Sequence, residues 1–124
     1  MRIDPVRGRF RQALSRLAAT SAELEADALG QAREVQGCQQ IVAANDRELV
    51  RVFGHLKSVA LAPRAGSPSL EATLYDGSGV VTLVWLGRRT IPGIKPGADL
   101  VAWGRISCHD GRRVIYNPRY ELRV

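Results

Sequence analysis

The stretch Leu49-Val-Arg-Val-Phe-Gly-His-Leu-Lys-Ser-Val-Ala-Leu61 largely alternates apolar and polar side chains and carries Gly54 near its middle. This period of two is typical of a β-strand. A small closed barrel needs one strand that bends to pair with neighbours on both sides, and a glycine within a strand permits that bend. The stretch therefore predicts the long first strand of a small barrel.

Further runs of β-type residues follow this strand and are separated by turn signals. We predict strands at Leu70–Asp76, Val80–Leu86, Asp99–Ser107 and Arg112–Tyr116, with a short edge piece at Tyr120–Val124. Glycine-containing turns join the second strand to the third and the fourth to the fifth, and the longest connection joins the third to the fourth. Because five strands in so short a segment avoid open edges by closing, we expect a mainly β fold, a five-stranded Greek-key OB-fold barrel.

The N-terminal segment, residues 1–36, is predicted to be an amphipathic α-helix that precedes the barrel. Its apolar residues recur at helical spacing, and they are Phe10, Leu14, Leu17, Leu24 and Ala28. Asp4-Pro5 predicts the start of the helix, and Gly30 predicts that it stops or frays there. Two interpretations remain open: the helix packs on its own domain or lies loose, or it mediates dimerisation or docks on a protein partner.

The rest of the domain organisation follows from composition. Residues 37–48 are polar and irregular, so we predict a linker with a short turn around Ile41–Ala44. We predict that residues 49–124 form the OB-fold domain. A chain of 124 residues fits one domain with one core.

The charge is distributed unevenly along the chain. Residues 1–48 hold seven basic and seven acidic residues, whereas residues 49–124 hold eleven basic and five acidic residues, which is the whole net charge of +6. Sixteen of the eighteen basic residues are arginine, whose planar guanidinium suits phosphate. A basic barrel is compatible with a nucleic-acid partner and also with solubility alone.

Several classes of protein are disfavoured by the sequence. Two cysteines, Cys38 and Cys108, are too few for a disulfide scaffold, and no apolar run is long enough for a membrane helix or a secretory signal. We therefore expect a cytoplasmic protein with reduced thiols. No spacing of Cys and His predicts a metal site, and no nucleophile motif predicts catalysis. The expectation is a non-enzymatic protein without a cofactor.

Several motifs carry a resemblance to known proteins. The stretches 94–106 and 110–122 resemble the OB-fold wedge domain of branch-migration helicases, which rescue replication forks. The segment from about Asp46 to Leu122 is more similar to a family of small stand-alone OB-fold proteins of high-GC bacteria. The matching residues are Asp76-Gly-Ser-Gly79, Trp85-Leu-Gly-Arg-Arg89, Ile91-Pro-Gly-Ile94 and Tyr116-Asn-Pro-Arg-Tyr120.

This resemblance implies a DNA-contacting module without a motor. The motor's phosphate-binding motif, Gly-x-x-x-x-Gly-Lys followed by Ser or Thr, does not occur in the chain. Asn117 stands where the wedge domain has a histidine before its proline, which weakens any implication of a fork-specific role.

OB-folds bind single strands on the face of strands two and three, between the one–two and four–five loops. In the first strand, basic, aromatic and histidine side chains fall on one face, provided that no bulge at Gly54 changes the register. Together with loop and turn residues they form a predicted nucleic-acid site of Arg51, Phe53, Lys57, Arg64, Trp85, Arg88, Arg89, Arg112, Arg113 and Tyr116.

The aromatic side chains of this site have an alternative interpretation. Trp85 lies in an almost wholly apolar run, so it and Phe53 also fit the barrel core, and Trp103 fits the core better than a surface. Seven aromatic residues are few for a protein that relies on stacking. This favours phosphate contacts over base contacts, and therefore low sequence specificity.

The sequence thus predicts non-enzymatic binding of single-stranded or branched DNA, with RNA as the less favoured nucleic acid. The alternative is a protein-interaction or assembly module that uses the barrel and the N-terminal helix.

Overall fold

The computed structural model describes the backbone of residues 5–123 and the side chains of residues 16–123. A helix, α1, and a short 3-10 turn precede six strands, numbered β1 to β6. The elements are α1 Pro5–Val35, the 3-10 turn Ile41–Ala43, β1 Leu49–Leu61, β2 Ser69–Tyr75, β3 Val80–Leu86, β4 Asp99–His109, β5 Arg112–Tyr116 and β6 Arg119–Arg123. The predicted cap at Asp4, the side chains of Phe10 and Leu14, and Val124 lie outside the described residues.

The long strand β1 closes the sheet into a barrel. Its first half pairs antiparallel with β4, from Leu49 to His55, and its second half pairs antiparallel with β2, from His55 to Leu61. Strand β5 lies between β3, to which it is parallel, and β4, to which it is antiparallel. The order β1-β2-β3-β5-β4 returns to β1, so the predicted mainly β fold with a closed five-stranded OB-fold barrel is confirmed.

Gly54 is required by a close approach of strands rather than by a bulge. A Cβ atom at this position would lie 2.5 Å from the carbonyl oxygen of Tyr75. The ladder to β4 runs unbroken through Gly54, and the register shift against β2 falls between Leu56 and Ser58. Arg51, Phe53 and His55 consequently share the outer face of β1, and Lys57, at the register shift, pairs with Glu25 of α1.

The barrel interior is filled by alternate residues of all five strands. Among the fully buried side chains are Val52, Leu56, Leu74, Leu83, Leu100, Ile106 and Ile115. Ile41 of the 3-10 turn is also fully buried and belongs to this core. Residues 37–48 therefore contribute to the core through Ile41, whereas Val42 beside it is exposed.

The carboxylate of Asp76 joins the 3-10 turn and the helix to the barrel. Asp76 is fully buried and accepts hydrogen bonds from the backbone N–H groups of Ile41, Ser78 and Gly79. The Arg33 guanidinium donates to the Asp76 carbonyl oxygen over 2.9 Å and lies 3.5 Å from its carboxylate. Sequence analysis places Asp76 at the end of the second strand, before a turn, and could not reveal this contact because Arg33 is far away along the chain.

Helix α1 rests on the barrel through its C-terminal part. It continues through Gly30 to Val35, so the predicted stop at Gly30 is wrong. The turn between β2 and β3 approaches the helix so closely that a Cβ at Gly77 would lie 2.5 Å from the carbonyl oxygen of Ala26. Further out along the helix, Leu17 and Leu24 are 65% and 64% exposed. Within the described residues, no helix has the length and apolar character that a membrane crossing requires.

Candidate nucleic-acid interface

A shallow groove lies on the outer face of β2, β3 and β5. The strand register places Glu71 of β2 opposite Val84 of β3, and Val84 opposite Tyr116 of β5. These three residues form a row across the sheet, and Tyr116 at its end is 46% exposed. Val84 is fully covered by its neighbours, and we call the surface above this row the β2–β3–β5 groove.

Arg64 reaches this row from the loop between β1 and β2. Its guanidinium donates to the Glu71 carboxylate, with the shorter contact at 2.6 Å, and its central carbon lies 5.6 Å from the centre of the Tyr116 ring. The hydrogen bond to Glu71 raises the pKa of Arg64 above its ordinary value. Arg64 therefore keeps its positive charge while it lies against an aromatic ring.

The loop that carries Arg64 is a tight hairpin. The backbone N–H and C=O groups of Arg64 and Ser67 exchange two hydrogen bonds, of 2.8 and 2.9 Å. Ala65 and Gly66 between them have φ angles of 49° and 79°, as a two-residue type I′ turn requires. These backbone hydrogen bonds fix the conformation of the loop tip, and therefore the position of the Arg64 Cα atom.

Arg112 approaches the same carboxylate from the start of β5. One of its nitrogens lies 3.9 Å from Glu71, on the carboxylate oxygen that Arg64 does not use. A depression of about 170 Å³ lies alongside and is lined by Arg64, Ser107, His109, Arg112, Val114 and Tyr116. Two guanidinium groups and one carboxylate give this part of the groove a net positive charge beside an exposed tyrosine ring.

Arg88 and Arg89 lie at the same end of the barrel as Arg64. They follow β3 directly and are exposed. The N–H of Gly87 donates to the carbonyl oxygen of Pro68 over 2.8 Å, which fastens the end of β3 to the loop between β1 and β2. No ion pair within residues 16–123 engages either guanidinium group.

Arg113 lies away from the groove. Neighbouring residues of β5 alternate between the two faces of the sheet, so Arg112 points outward and Arg113 points toward the end of the barrel. Its guanidinium lies 3.5 Å from the carbonyl oxygen of Val42 in the 3-10 turn. Of the predicted site, the structure therefore brings Arg64, Arg112 and Tyr116 together, with Arg88 and Arg89 nearby, and leaves Arg113 apart.

The predicted site residues of β1 face the helix or the segment that follows it instead. Phe53 is 4% exposed, beside a cavity that it shares with Leu29 and Ala32 of α1. The Lys57 ammonium pairs with the Glu25 carboxylate of α1. Arg51 donates to the carbonyl oxygen of Gln36, just beyond the end of the helix. The predicted shared face exists, but α1 occupies much of it, and burial keeps the Phe53 ring from any base.

Trp85 points into the barrel. Its side chain is 6% exposed, its ring lies edge-on to Tyr120 with the centroids 5.7 Å apart, and its indole N–H donates to the carbonyl oxygen of Pro118. The core interpretation of Trp85 thus fits the structure, and its ring does not reach the surface of the groove. Tyr116 is the exposed aromatic side chain of the groove.

Glu71 is the charged residue of the groove that the sequence analysis does not identify. A lone carboxylate in a strand carries no signal of its own. The two-residue turn at Ala65-Gly66 is the feature that could reveal it, because that turn pairs the flanking residues and brings Arg64 back toward β2. Within the described residues, no three His, Cys, Asp or Glu side chains cluster as metal ligands would.

No protein-family model matches the chain, and no curated protein matches it. Among solved structures, the chain is similar to RecG in a structure of RecG bound to a three-way DNA junction, with 22% sequence identity and a TM-score of 0.54. The match covers 63% of this chain and 11% of the RecG chain. This likeness concerns the fold alone, and it agrees with the closed five-stranded OB-fold barrel described above.

Proposed function

We propose that this chain is a non-catalytic protein that binds single-stranded or branched DNA along the β2–β3–β5 groove. The observation that carries the proposal is the convergence of Arg64, Arg112 and Tyr116 around Glu71. Guanidinium groups bind phosphates through paired, charge-assisted hydrogen bonds, and an exposed aromatic ring stacks on any base. RecG, whose likeness to the chain lies in the fold, is bound to a DNA junction in its structure.

The direction of a bound strand follows from the positions of the arginines. Arg88 and Arg89 lie at one end of the groove, Arg64 and Tyr116 lie beside them, and Arg112 lies toward the other end. Most of these contacts would reach phosphates, which carry no sequence information. We therefore propose low sequence specificity and a strong dependence on salt.

The test is fluorescence anisotropy of a labelled single strand, titrated with protein at several salt concentrations. We expect Arg64→Ala combined with Arg112→Ala to weaken binding by at least about tenfold, because two charge-assisted contacts are lost. The slope of log affinity against log salt should fall by about 1.4, at about 0.7 for each phosphate contact to a single strand. Duplex, forked and RNA probes establish which nucleic acid is preferred.

Arg16→Ala is the control, because it removes an arginine from an exposed position on α1, away from the groove residues. Its affinity and salt slope should stay close to those of the wild type. If the wild-type protein binds none of these probes at low salt, the proposal is wrong. If the double variant keeps the full slope, the groove is not the binding surface.

A second candidate function is assembly with a further copy of this chain through α1. It is favoured by the exposure of Leu17 and Leu24 on a helix whose contacts with the barrel lie in its C-terminal part. The first half of α1, residues 5–20, carries arginines and no acidic residue, whereas four of the five charged residues in the second half are acidic. Two antiparallel helices would place these opposite charges side by side, so we propose a second copy as the partner.

A further inference from the structure

A second basic surface with an aromatic centre lies on the outer face of β1, β4 and β6. Trp103 of β4 pairs with Arg51 of β1 on one side and with Arg119 of β6 on the other. Residues directly opposite each other in antiparallel strands share a face, with Cβ atoms about 4.5–5.5 Å apart. Arg51, Trp103 and Arg119 thus form a row across three strands, which we call the Trp103 row.

Trp103 does not belong to the barrel core, although its sequence context favours the core. It is partly exposed, whereas the other tryptophan, Trp85, is 6% exposed and packs in the interior. The alternation along β4 explains the difference, because Leu100, Ala102 and Ile106 point inward and Trp103 points outward. A depression of about 480 Å³ lies beside the indole and is lined by Gln39, Leu49, Val50, Arg51, Trp103 and Gly104.

The surroundings of the Trp103 row are positively charged. Arg105 lies one row away, opposite Leu49, which is 68% exposed. Glu121 lies one row away on the other side, but its carboxylate already pairs with Arg123 at 2.6 Å. The Glu48 carboxylate, near the depression, accepts a hydrogen bond from Gln39. Arg51 and Arg105 donate to the carbonyl oxygens of Gln36 and Arg47, which leaves their charge intact. The three arginines of this surface, Arg51, Arg105 and Arg119, therefore act on a ligand mainly through their charge.

Strand β4 connects this surface to the β2–β3–β5 groove. Ser107 and His109 line the groove, and Trp103 precedes Ser107 by four residues on the same outer face. At about 3.3 Å per residue the two positions lie about 13 Å apart along the strand. A linear ligand such as a single strand of nucleic acid that leaves the groove along β4 therefore reaches the Trp103 row.

We propose that the Trp103 row is a second subsite for single-stranded nucleic acid, in which a base stacks on the indole and the flanking phosphates contact Arg51 and Arg119. An aromatic ring between guanidinium groups on an open sheet is the arrangement that single strands use, since every base has a stacking face and guanidinium groups grip phosphates. This inference rests on the proposed function, and it adds a binding surface that α1 leaves open.

The experiment follows tryptophan fluorescence and anisotropy while a labelled oligothymidylate is added. Stacking on Trp103 quenches its fluorescence, whereas Trp85 is shielded in the core. We expect wild-type protein to be quenched and Trp103→Phe to lose most of the quenching while it keeps most of the affinity. Trp103→Ala should bind about tenfold more weakly, because one base loses its stacking partner. Arg119→Ala should lower the salt slope by about 0.7.

The outcomes separate this inference from the proposed function. If the wild-type protein binds no oligonucleotide, both are wrong. If it binds, but without quenching, and Trp103→Ala has the wild-type affinity, the Trp103 subsite is wrong and the groove is retained. Thermal unfolding of each variant shows whether a loss of affinity comes from misfolding. If Trp103→Ala is misfolded, Trp103→Phe tests the subsite, because it removes the indole fluorescence and keeps an aromatic ring.

Discussion

Glu71 lies between two arginines that would otherwise be free to meet a phosphate. Its carboxylate holds the Arg64 guanidinium over the Tyr116 ring and also lies near Arg112. An incoming phosphate has to compete with that carboxylate for the same donors. In the binding mode that we propose, Glu71 positions the arginines before the ligand arrives and lowers the affinity of the groove for anions.

Glu71→Gln should therefore bind single-stranded DNA more tightly than the wild type. The amide oxygen still accepts a hydrogen bond from Arg64, but the competing negative charge is removed. We expect a gain of about twofold to fivefold at low salt, the size of a single exposed charge pair. Anisotropy titrations measure it, and Glu23→Gln on the exposed part of α1 is the matched control. Unchanged or weaker binding by Glu71→Gln would show that the carboxylate does not compete with the ligand.

At the scale of the elements, helix and barrel are joined by a buried ion pair. Asp76 has no exposed surface and Arg33 is 7% exposed. Every acceptor contact of the carboxylate lies at the point where α1, the 3-10 turn and the β2–β3 turn meet. Removing one partner of such a pair leaves a buried charge without compensation.

Asp76→Asn should consequently destabilise the fold by about 3–5 kcal/mol, the usual cost of breaking a buried pair on one side. The side-chain nitrogen of the new asparagine is itself a hydrogen-bond donor. It cannot accept the hydrogen bonds that one carboxylate oxygen of Asp76 accepts in the wild type. Urea unfolding monitored by circular dichroism gives the free energy, with Asp110→Asn in an exposed turn as the control. If the free energy of unfolding falls by less than about 1 kcal/mol, the Arg33 guanidinium is hydrated in the variant and the pair is not buried as described.

The strands could be predicted from the sequence because each buries one face and therefore alternates. The predicted bounds of β1, β3 and β5 agree with the structure, and those of β2, β4 and β6 differ by one or two residues. The contacts of Glu71 and Arg33 could not be predicted, since their partners are distant along the chain and only the closed barrel brings them together. The burial of Phe53 depends in the same way on where α1 docks.

The whole molecule is a barrel with a long helix that extends well beyond its contact with the barrel. The 31 residues of α1 span about 46 Å at 1.5 Å per residue. Leu17 and Leu24 are seven residues apart and share one face, while Ala26 and Arg33 contact the barrel from another. An isolated helix of this length gains most of its stability from packing, which a second copy would supply.

Leu17→Ser combined with Leu24→Ser should therefore weaken the dimer that we propose for the wild-type protein. Sedimentation equilibrium over a range of concentrations measures the dissociation constant, and we expect at least a tenfold rise, since two exposed leucines lose their burial. Ala19→Ser combined with Ala22→Ser changes neighbouring exposed positions and is the control. A wild-type protein that stays monomeric at every concentration would exclude self-association.

The sharing of β1 between two ladders has a consequence for hydrogen exchange. His55 pairs with Tyr75 on one side and with Asp99 on the other, so the middle of β1 cannot open without parting both halves of the barrel. Amide protons there exchange only when the whole domain unfolds, whereas those near the ends of the strand exchange through local fraying. The protection of a few amides around His55 thus reports the global stability of the protein, without denaturant.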